Sequence, residues 1–262
     1  GKYDQWLVAK KADEDYGNMP LTLGHYTRED LPFYYALADA FTVFDQHFCS
    51  ALTGTTTNRN YFWTGKSFDT EGDRPCVRNS EVSYNSEASW KTFPERLEEN
   101  GISWRVYQNE ISLPTDVEDA SLLANFTDNN LEWFSQYNVR YSSGFQKYIK
   151  GRLEVLPSEI EHLEKELNAQ SEEKKLEHSK VLQKKKQQLD QIKEVLKKWN
   201  PENFEKLSDF HKKLHEKAFA TNIGDPDYHR VEEFSYDDNG IWRSIKVPKG
   251  DILHQFRQDV DQ

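Results

Sequence analysis

The chain has 262 residues, enough for one large domain or two small ones. Aromatic residues make up 13% of it, which excludes full disorder because such side chains normally belong to a packed interior. The 34 basic and 45 acidic residues give a net charge of −11, which argues against nonspecific binding of nucleic acid phosphates and anionic lipid. No apolar run is long enough for a transmembrane segment, and the N-terminal residues lack the apolar core of a signal peptide.

The first part of the chain is rich in aromatic residues and turns. An almost wholly apolar run over residues 31–41 predicts a buried helix, and alternation over 42–48 predicts a strand. A helix over 92–100 followed by a strand over 101–108 is typical of an α/β layer. Two cysteines, Cys49 and Cys76, are too few for a disulfide framework, and whether they pair is open.

The middle of the chain predicts long helices. Between Pro157 and Pro201 no glycine or proline interrupts a run of glutamate, lysine, leucine and glutamine, all good helix formers. Its apolar stripes are narrow, so we expect a break near residues 168–171 and an antiparallel hairpin, or one coiled-coil-like helix along the body. One further helix is expected over 202–217.

The last part predicts a β-hairpin and a final helix. Two strand-like runs over residues 234–247 flank an Asp-Asn-Gly turn, which is a strong hairpin signal. Residues 252–260 then carry leucine, phenylalanine and valine at helical spacing.

An unusual loop over residues 49–59 (CSALTGTTTNR) follows the predicted strand. Hydroxyls and backbone N–H groups near a glycine can surround an anion, and arginine can clamp a phosphate with two hydrogen bonds. The loop therefore predicts an oxyanion or phosphate site. The alternative is a threonine-rich turn whose hydroxyls cap a helix.

The order of residues resembles a known family. Residues 24–50 (GHYTREDLPFYYALADAFTVFDQHFCS), 55–59 (TTTNR) and 63–65 (WTG) are similar to the bacterial phosphoesterase family of phosphatidylcholine-type phospholipases C and related acid phosphatases. Residues 103–108 (SWRVYQ) and 125–130 (NFTDNN) extend the resemblance, and 248–252 (PKGDI) resembles the segment that leads into the second half of the domain.

The resemblance implies an α/β, partial alkaline-phosphatase-like domain with a long helical insertion. Residues 1–148 would form its N-terminal part, 149–220 the insertion, and 221–262 a hairpin and helix that return to the domain. It also implies a parent protein that is secreted or periplasmic.

The family cleaves phosphoesters through a metal-bound hydroxyl, and its Thr-x-Pro-Asn-Arg pattern maps Thr55 as nucleophile and metal ligand. Thr57 stands where many members carry proline, and Thr56 is the second candidate if the register is off by one. Asn58 and Arg59 would orient the loop or the phosphoryl oxygens, with a structural ion pair as the alternative for Arg59.

His25 and His47 lie within the resemblance and are candidates for donating to a phosphate or a leaving group, although a structural hydrogen-bonding role is the commoner one. Tyr61, Trp63 and Trp104 either form an aromatic wall around a choline ammonium or pack in the core.

The metal ligands that the family carries near its N-terminus and late in its domain have no counterpart in this sequence. One threonine cannot hold a divalent cation, so we expect the remaining ligands outside this chain, and an internal fragment that binds no metal and is inactive alone. The metal's identity and the oligomeric state are open.

The predicted function is hydrolysis of a phosphodiester such as phosphatidylcholine by the full-length parent, with a phospholipid or another phosphoester as substrate and peripheral contact with lipid allowed. Two alternatives are an acid phosphatase of the same family and a noncatalytic interaction protein that binds a partner through the charged helices over residues 157–217.

Overall fold

A computed structural model of the chain describes residues 24–67, 75–117, 122, 128–169, 172–238 and 240–261. Its contacts divide the chain into two compact units, Gly1–Cys49 and Ser50–Gln262. The domain boundaries predicted from the sequence, at 148 and 220, both lie within the second unit.

The described part of the first unit contains helix α1, Pro32–Ala40. Proline at the start of α1 is favourable because the first N–H groups of a helix have no intrahelical partner. No residue of α1 is buried, so the expectation of a buried helix is wrong. A helix is buried only where a second element covers it, and residues 24–49 contain no other helix or strand.

The strand predicted over residues 42–48 does not form, and this segment is irregular. A strand needs a neighbour for its backbone N–H and C=O groups, and the described residues of the first unit offer none. Alternation of side chains was therefore an insufficient signal here.

Two short helices begin the second unit. Helix α2, Thr55–Thr64, ends at Gly65, which has a φ of 71° and donates its N–H to the Tyr61 carbonyl at 2.8 Å. Helix α3, Phe93–Glu99, begins with a capping box in which Thr92 and Glu95 bond each other's backbone N–H. The predicted helix over 92–100 is confirmed.

The segment after α3 forms no strand, contrary to the prediction for residues 101–108. It makes one isolated bridge, between Tyr107 and Ala220. Its backbone partners lie in the last turn of a helix and just after it rather than in a strand: Val106 donates to the Lys217 carbonyl at 2.9 Å, and Gln108 donates to the Ala220 carbonyl at 3.0 Å.

The long helices are α4, Ser143–Ala169, and α5, Glu172–Lys198. They form an antiparallel hairpin, with Lys185 bonded to Glu159 at 2.5 Å, so the hairpin is confirmed over the single long helix. Helix α4 begins earlier than predicted and contains Pro157. The expected break falls between the two helices, and residues 170 and 171 lie outside the described part.

The helix predicted over 202–217 is wrong as a single element. Two helices are present, α6 (Pro201–Glu205) and α7 (Asp209–Ala218). They are separate because the Ser208 side chain accepts the His211 N–H and caps a new helix.

The predicted β-hairpin is confirmed. Strand β1, Val231–Asp238, pairs antiparallel with β2, Ile241–Pro248, and Gly240 has the positive φ (87°) that the turn requires. Helix α8, His254–Val260, confirms the final helix. The described chain is thus mostly helical with one two-stranded sheet, and the larger α/β sheet stays a prediction.

Two clusters form the core of the second unit. The first lies beside α2 and α7, and Trp63 and Trp104 pack against it, which favours core packing over an aromatic wall for these two residues. The second joins the helical hairpin to the irregular segment around residues 111–113. The members with 0% exposure are Leu131, Tyr137, Leu214 and Ala218 in the first cluster and Leu156 in the second.

Candidate functional site

The threonine loop becomes the first turn of α2. Thr55 is the first residue of this helix and is exposed, whereas Thr56 and Thr57 are buried. Of the two candidate nucleophiles, Thr55 therefore has the accessible position. The N-terminus of a helix carries partial positive charge and unpaired N–H groups, which suit a phosphate.

The cap of α2 comes from a distant residue. Gly54 occupies the N-cap position and offers no side chain, but Asn79 Oδ1 accepts the Thr56 N–H at 3.0 Å. A Cβ atom at Gly54 would lie 2.3 Å from Asn79 Oδ1, so the glycine makes room for this partner. The alternative of a turn whose own hydroxyls cap the helix is not what forms here.

Buried polar contacts hold the next residues of α2. The Thr56 carbonyl accepts a hydrogen bond from Asn130 Nδ2 at 3.0 Å, and the same Nδ2 donates to Asn60 Oδ1 at 3.0 Å. Thr57 donates its hydroxyl to the Cys76 carbonyl at 2.9 Å. These contacts fix the peptide groups that follow Thr55, because a buried polar group without a partner is costly.

Asn58 organises the loop that precedes α2. Its Oδ1 accepts the Ala51 N–H at 3.0 Å, and its Nδ2 donates to the carbonyls of Ala51 at 3.0 Å and Gly54 at 3.1 Å. Both ends of the side-chain amide are therefore engaged with the backbone. The arrangement favours the loop-orienting role for Asn58 over direct contact with a phosphoryl oxygen.

Arg59 forms an ion pair with Asp128 at 2.6 Å. Its side chain keeps 32% of its exposure, and that of Asp128 keeps 57%, so the pair lies at the surface. Arg59 also makes a further interaction. The ion pair agrees with the structural alternative, and phosphate contact by Arg59 stays a prediction.

The two candidate histidines lie in the first unit. His25 and His47 are both exposed, and the His47 ring lies 6.3 Å from the ring of Phe44. Their chemical roles stay predictions. Cys49 is exposed and Cys76 is buried, and both are free thiols.

Three residues of this region were missed by sequence reasoning: Asn79, Asn130 and Asp128. Each lies more than twenty positions from its partner in α2, so no local spacing could link them. Asn130 and Asp128 do fall within the segment 125–130 that carries the family resemblance, which was the available signal. Residues 125–127 of that segment lie outside the described part.

The donors near Thr55 do not fit a divalent cation. The described side chains that organise this turn are asparagine amides whose oxygens already accept backbone N–H groups, a guanidinium, and the single Asp128 carboxylate that pairs with it, whereas such cations take several carboxylate or carbonyl oxygens. Among the described residues, no group of three or more His, Cys, Asp or Glu side chains could hold a metal ion.

Comparison with known proteins identifies the family. The profile described as the Phosphoesterase family matches residues 1–218, which is most of the chain. The chain belongs to the phosphoesterase family. The residues that match the family model include both the threonine turn and the helical hairpin.

Relatives of this phosphoesterase chain are named phospholipases C. It is 36% identical over 146 residues to a non-hemolytic phospholipase C of Burkholderia pseudomallei, which covers 52% of this chain and 19% of the relative. It is 45% identical over 114 residues to phospholipase C B of Mycobacterium tuberculosis (42% and 22%). It is 38% identical over 144 residues to a non-hemolytic phospholipase C of Pseudomonas aeruginosa (53% and 18%).

The matched stretch spans about a fifth of the length of these relatives. No solved structure matches the chain. In the described residues, no helix has both the length and the apolar character needed to cross a membrane.

Proposed function

We propose that this phosphoesterase chain contributes the nucleophile for hydrolysis of a phosphodiester, such as phosphatidylcholine, in the full-length protein that contains it. The names of its relatives support a phospholipase C over an acid phosphatase or a noncatalytic partner-binding protein. The observation that carries the proposal is the exposed position of Thr55 on the first turn of α2, followed by two buried threonines.

In the proposed reaction the Thr55 hydroxyl oxygen attacks phosphorus and forms an O–P bond. The bond from phosphorus to the glycerol oxygen breaks, and diacylglycerol leaves with a proton. Water then attacks the phosphothreonine diester and releases phosphocholine and the free hydroxyl. A hydroxyl is a weak nucleophile at its ordinary pKa, so its position and surroundings must supply much of the rate.

Three features around Thr55 would position the reacting groups and stabilise their charge. The N-terminal end of α2 attracts the negative charge on the phosphoryl oxygens. Asn58 keeps the preceding loop in place through its bonds to Ala51 and Gly54. Arg59, which shares its charge with Asp128, would stabilise the phosphoryl group in the transition state.

His25 or His47 would donate the proton to the leaving alcohol. Replacing each histidine alone by glutamine tests this role. If neither His25→Gln nor His47→Gln lowers kcat in the full-length protein, another group supplies that proton.

Metal dependence is part of the proposal for the full-length protein, as is its secretion or export to the periplasm. Dialysis against EDTA should abolish its activity, and the isolated chain should be inactive.

The nucleophile is tested with p-nitrophenyl phosphorylcholine and the full-length protein. We expect Thr55→Ala to lower kcat by on the order of 10³-fold or more, because no other exposed hydroxyl replaces the lost oxygen on this turn. Thr55→Ser keeps a hydroxyl and should retain measurable activity. Full activity in Thr55→Ala would remove Thr55 from the mechanism, and hydrolysis of p-nitrophenyl phosphate alone would indicate the phosphatase.

A further inference from the structure

The peptide group after Thr55 is held on both sides by asparagine side chains. Asn79 Oδ1 accepts the Thr56 N–H, and Asn130 Nδ2 donates to the Thr56 carbonyl, each at 3.0 Å. We infer that Asn79 is a positioning residue that sets the direction of the Thr55 hydroxyl. The inference rests on the proposed role of Thr55 as nucleophile.

Asn79 replaces the cap that the helix itself lacks. An N-cap side chain normally satisfies one of the first free N–H groups, and its loss frays the first turn. In α2 the N-cap is Gly54, so the Thr56 N–H depends on Asn79. The 2.3 Å separation between a Cβ built at Gly54 and Asn79 Oδ1 makes the two positions interdependent.

Asn79 directly follows two residues, Val77 and Arg78, whose backbone groups are held by hydrogen bonds. Glu81 accepts the N–H groups of Val77 at 2.7 Å and Arg78 at 3.0 Å, and the Thr53 hydroxyl donates to the Val77 carbonyl. The segment before Asn79 is thus bonded both within itself and to the loop that precedes α2. These hydrogen bonds hold the backbone before Asn79 in place beside the first turn of α2.

The consequence for the reaction is geometric. Thr55 is the residue between the glycine cap and the peptide group that Asn79 holds, so its backbone angles depend on both. A displacement of about 1 Å at a nucleophile can cost on the order of 10²-fold in rate. Because Asn79 contacts the helix end and not the substrate, its loss should lower kcat by a larger factor than it raises KM.

A rescue experiment in the full-length protein tests this role. Asn79→Ala should lower kcat for p-nitrophenyl phosphorylcholine by about 10- to 100-fold, with KM changed less than about threefold. Gly54→Ser alone should lower kcat less than Asn79→Ala does, because the new side chain displaces Asn79 Oδ1 but brings an acceptor of its own. The double variant should recover most of the kcat, since serine at the N-cap supplies a local acceptor where the alanine leaves space.

Hydrogen exchange of peptides that contain residue 56 provides the second readout. Exchange of this amide should be faster in Asn79→Ala and slower again in the double variant. If exchange follows this pattern while kcat does not change, or if kcat falls and the double variant does not recover it, the positioning role is overturned.

The Thr55→Ala variant separates this inference from the function on which it rests. An inactive Thr55→Ala protein with an unaffected Asn79→Ala protein overturns only the positioning role. A fully active Thr55→Ala protein overturns both the proposed nucleophile and the inference. Inactive Thr55→Ala, impaired Asn79→Ala and a recovered double variant support both.

Discussion

Helices α1 and α2 have nearly the same length and opposite environments. Helix α1 is mostly apolar and has no buried residue, whereas α2 (TTTNRNYFWT) is largely polar and buries Thr56, Thr57 and Asn60. The difference lies in the partners that each helix has. Around α2, side chains and carbonyls from residues 76, 79 and 130 meet its polar groups, while the described residues 24–49 contain no second element beside α1.

The contrast explains how a polar helix end can be held firmly. Each buried polar atom of the first turn that has a partner contributes about 1 kcal/mol, and removal of the partner costs more than the bond contributes. Hydrogen bonding in this turn therefore gives both stability and orientation. In α1, by contrast, apolar composition alone gives neither.

The largest expected effect is the loss of unfolding free energy when a buried leucine is replaced by alanine, with an exposed leucine as the matched control. Leu156 in α4 is fully buried and Leu37 in α1 is 47% exposed. Leu156→Ala should lower the free energy of unfolding by about 2–5 kcal/mol because it leaves a cavity. Leu37→Ala should change it by less than about 0.5 kcal/mol, and urea unfolding followed by circular dichroism measures both. Equal losses would mean that α1 is covered after all.

A second prediction concerns a buried carboxyl close in sequence to Asn130. Burial raises the pKa of Glu132 to about 7, and the nearby charge of Glu110 adds to the rise. Hydrogen bonds from the Tyr84 hydroxyl and the Ser112 N–H oppose it only in part. The folded protein thus holds a proton that the unfolded chain releases near pH 4.5, the ordinary value.

The contribution of protonated Glu132 is therefore complete below its ordinary pKa and is lost as the pH rises through about 7. Between about pH 5 and pH 8, the unfolding free energy of the unmodified protein should fall by on the order of 1–3 kcal/mol relative to Glu132→Gln. Denaturant titrations at a series of pH values measure this difference. A difference that is flat with pH would place the titrating proton elsewhere.

The smallest effect comes from two threonines of the same turn. Thr57→Val removes the buried hydrogen bond to the Cys76 carbonyl and should cost about 1 kcal/mol of unfolding free energy. Thr55→Val should cost less than about 0.5 kcal/mol, because Thr55 is exposed, yet it should inactivate the full-length protein. A stable and active Thr55→Val protein would break the contrast between the anchoring and the reactive threonine.

Local patterns predicted the elements that depend on local chemistry. The helix over 92–100, the Asp-Asn-Gly turn before Ile241 and the helix-forming run after Pro157 each correspond to an observed element. Predictions that needed a partner from elsewhere were wrong. The segments 42–48 and 101–108 alternate as strands do, but no described strand lies beside them to accept their hydrogen bonds.

The candidate site follows the same division. The family motif located the turn and gave Thr55 as its proposed nucleophile, because the motif and the loop are adjacent in sequence. Asn79 and Asn130 could not be assigned, since their contacts with Thr56 span more than twenty residues. Gly54 is a local indication of this arrangement, because a residue without a Cβ at the N-cap leaves room for the side chain of Asn79.

The proposed mechanism requires that Thr55 form a covalent bond to phosphorus. The most direct measurement is an acid quench of the full-length protein during turnover of phosphatidylcholine, followed by digestion and mass spectrometry of the peptide that ends at Arg59. We expect a phosphocholine adduct on Thr55 that is absent from Thr55→Ala. An adduct on another residue, or turnover by Thr55→Ala at the unmodified rate, would contradict it.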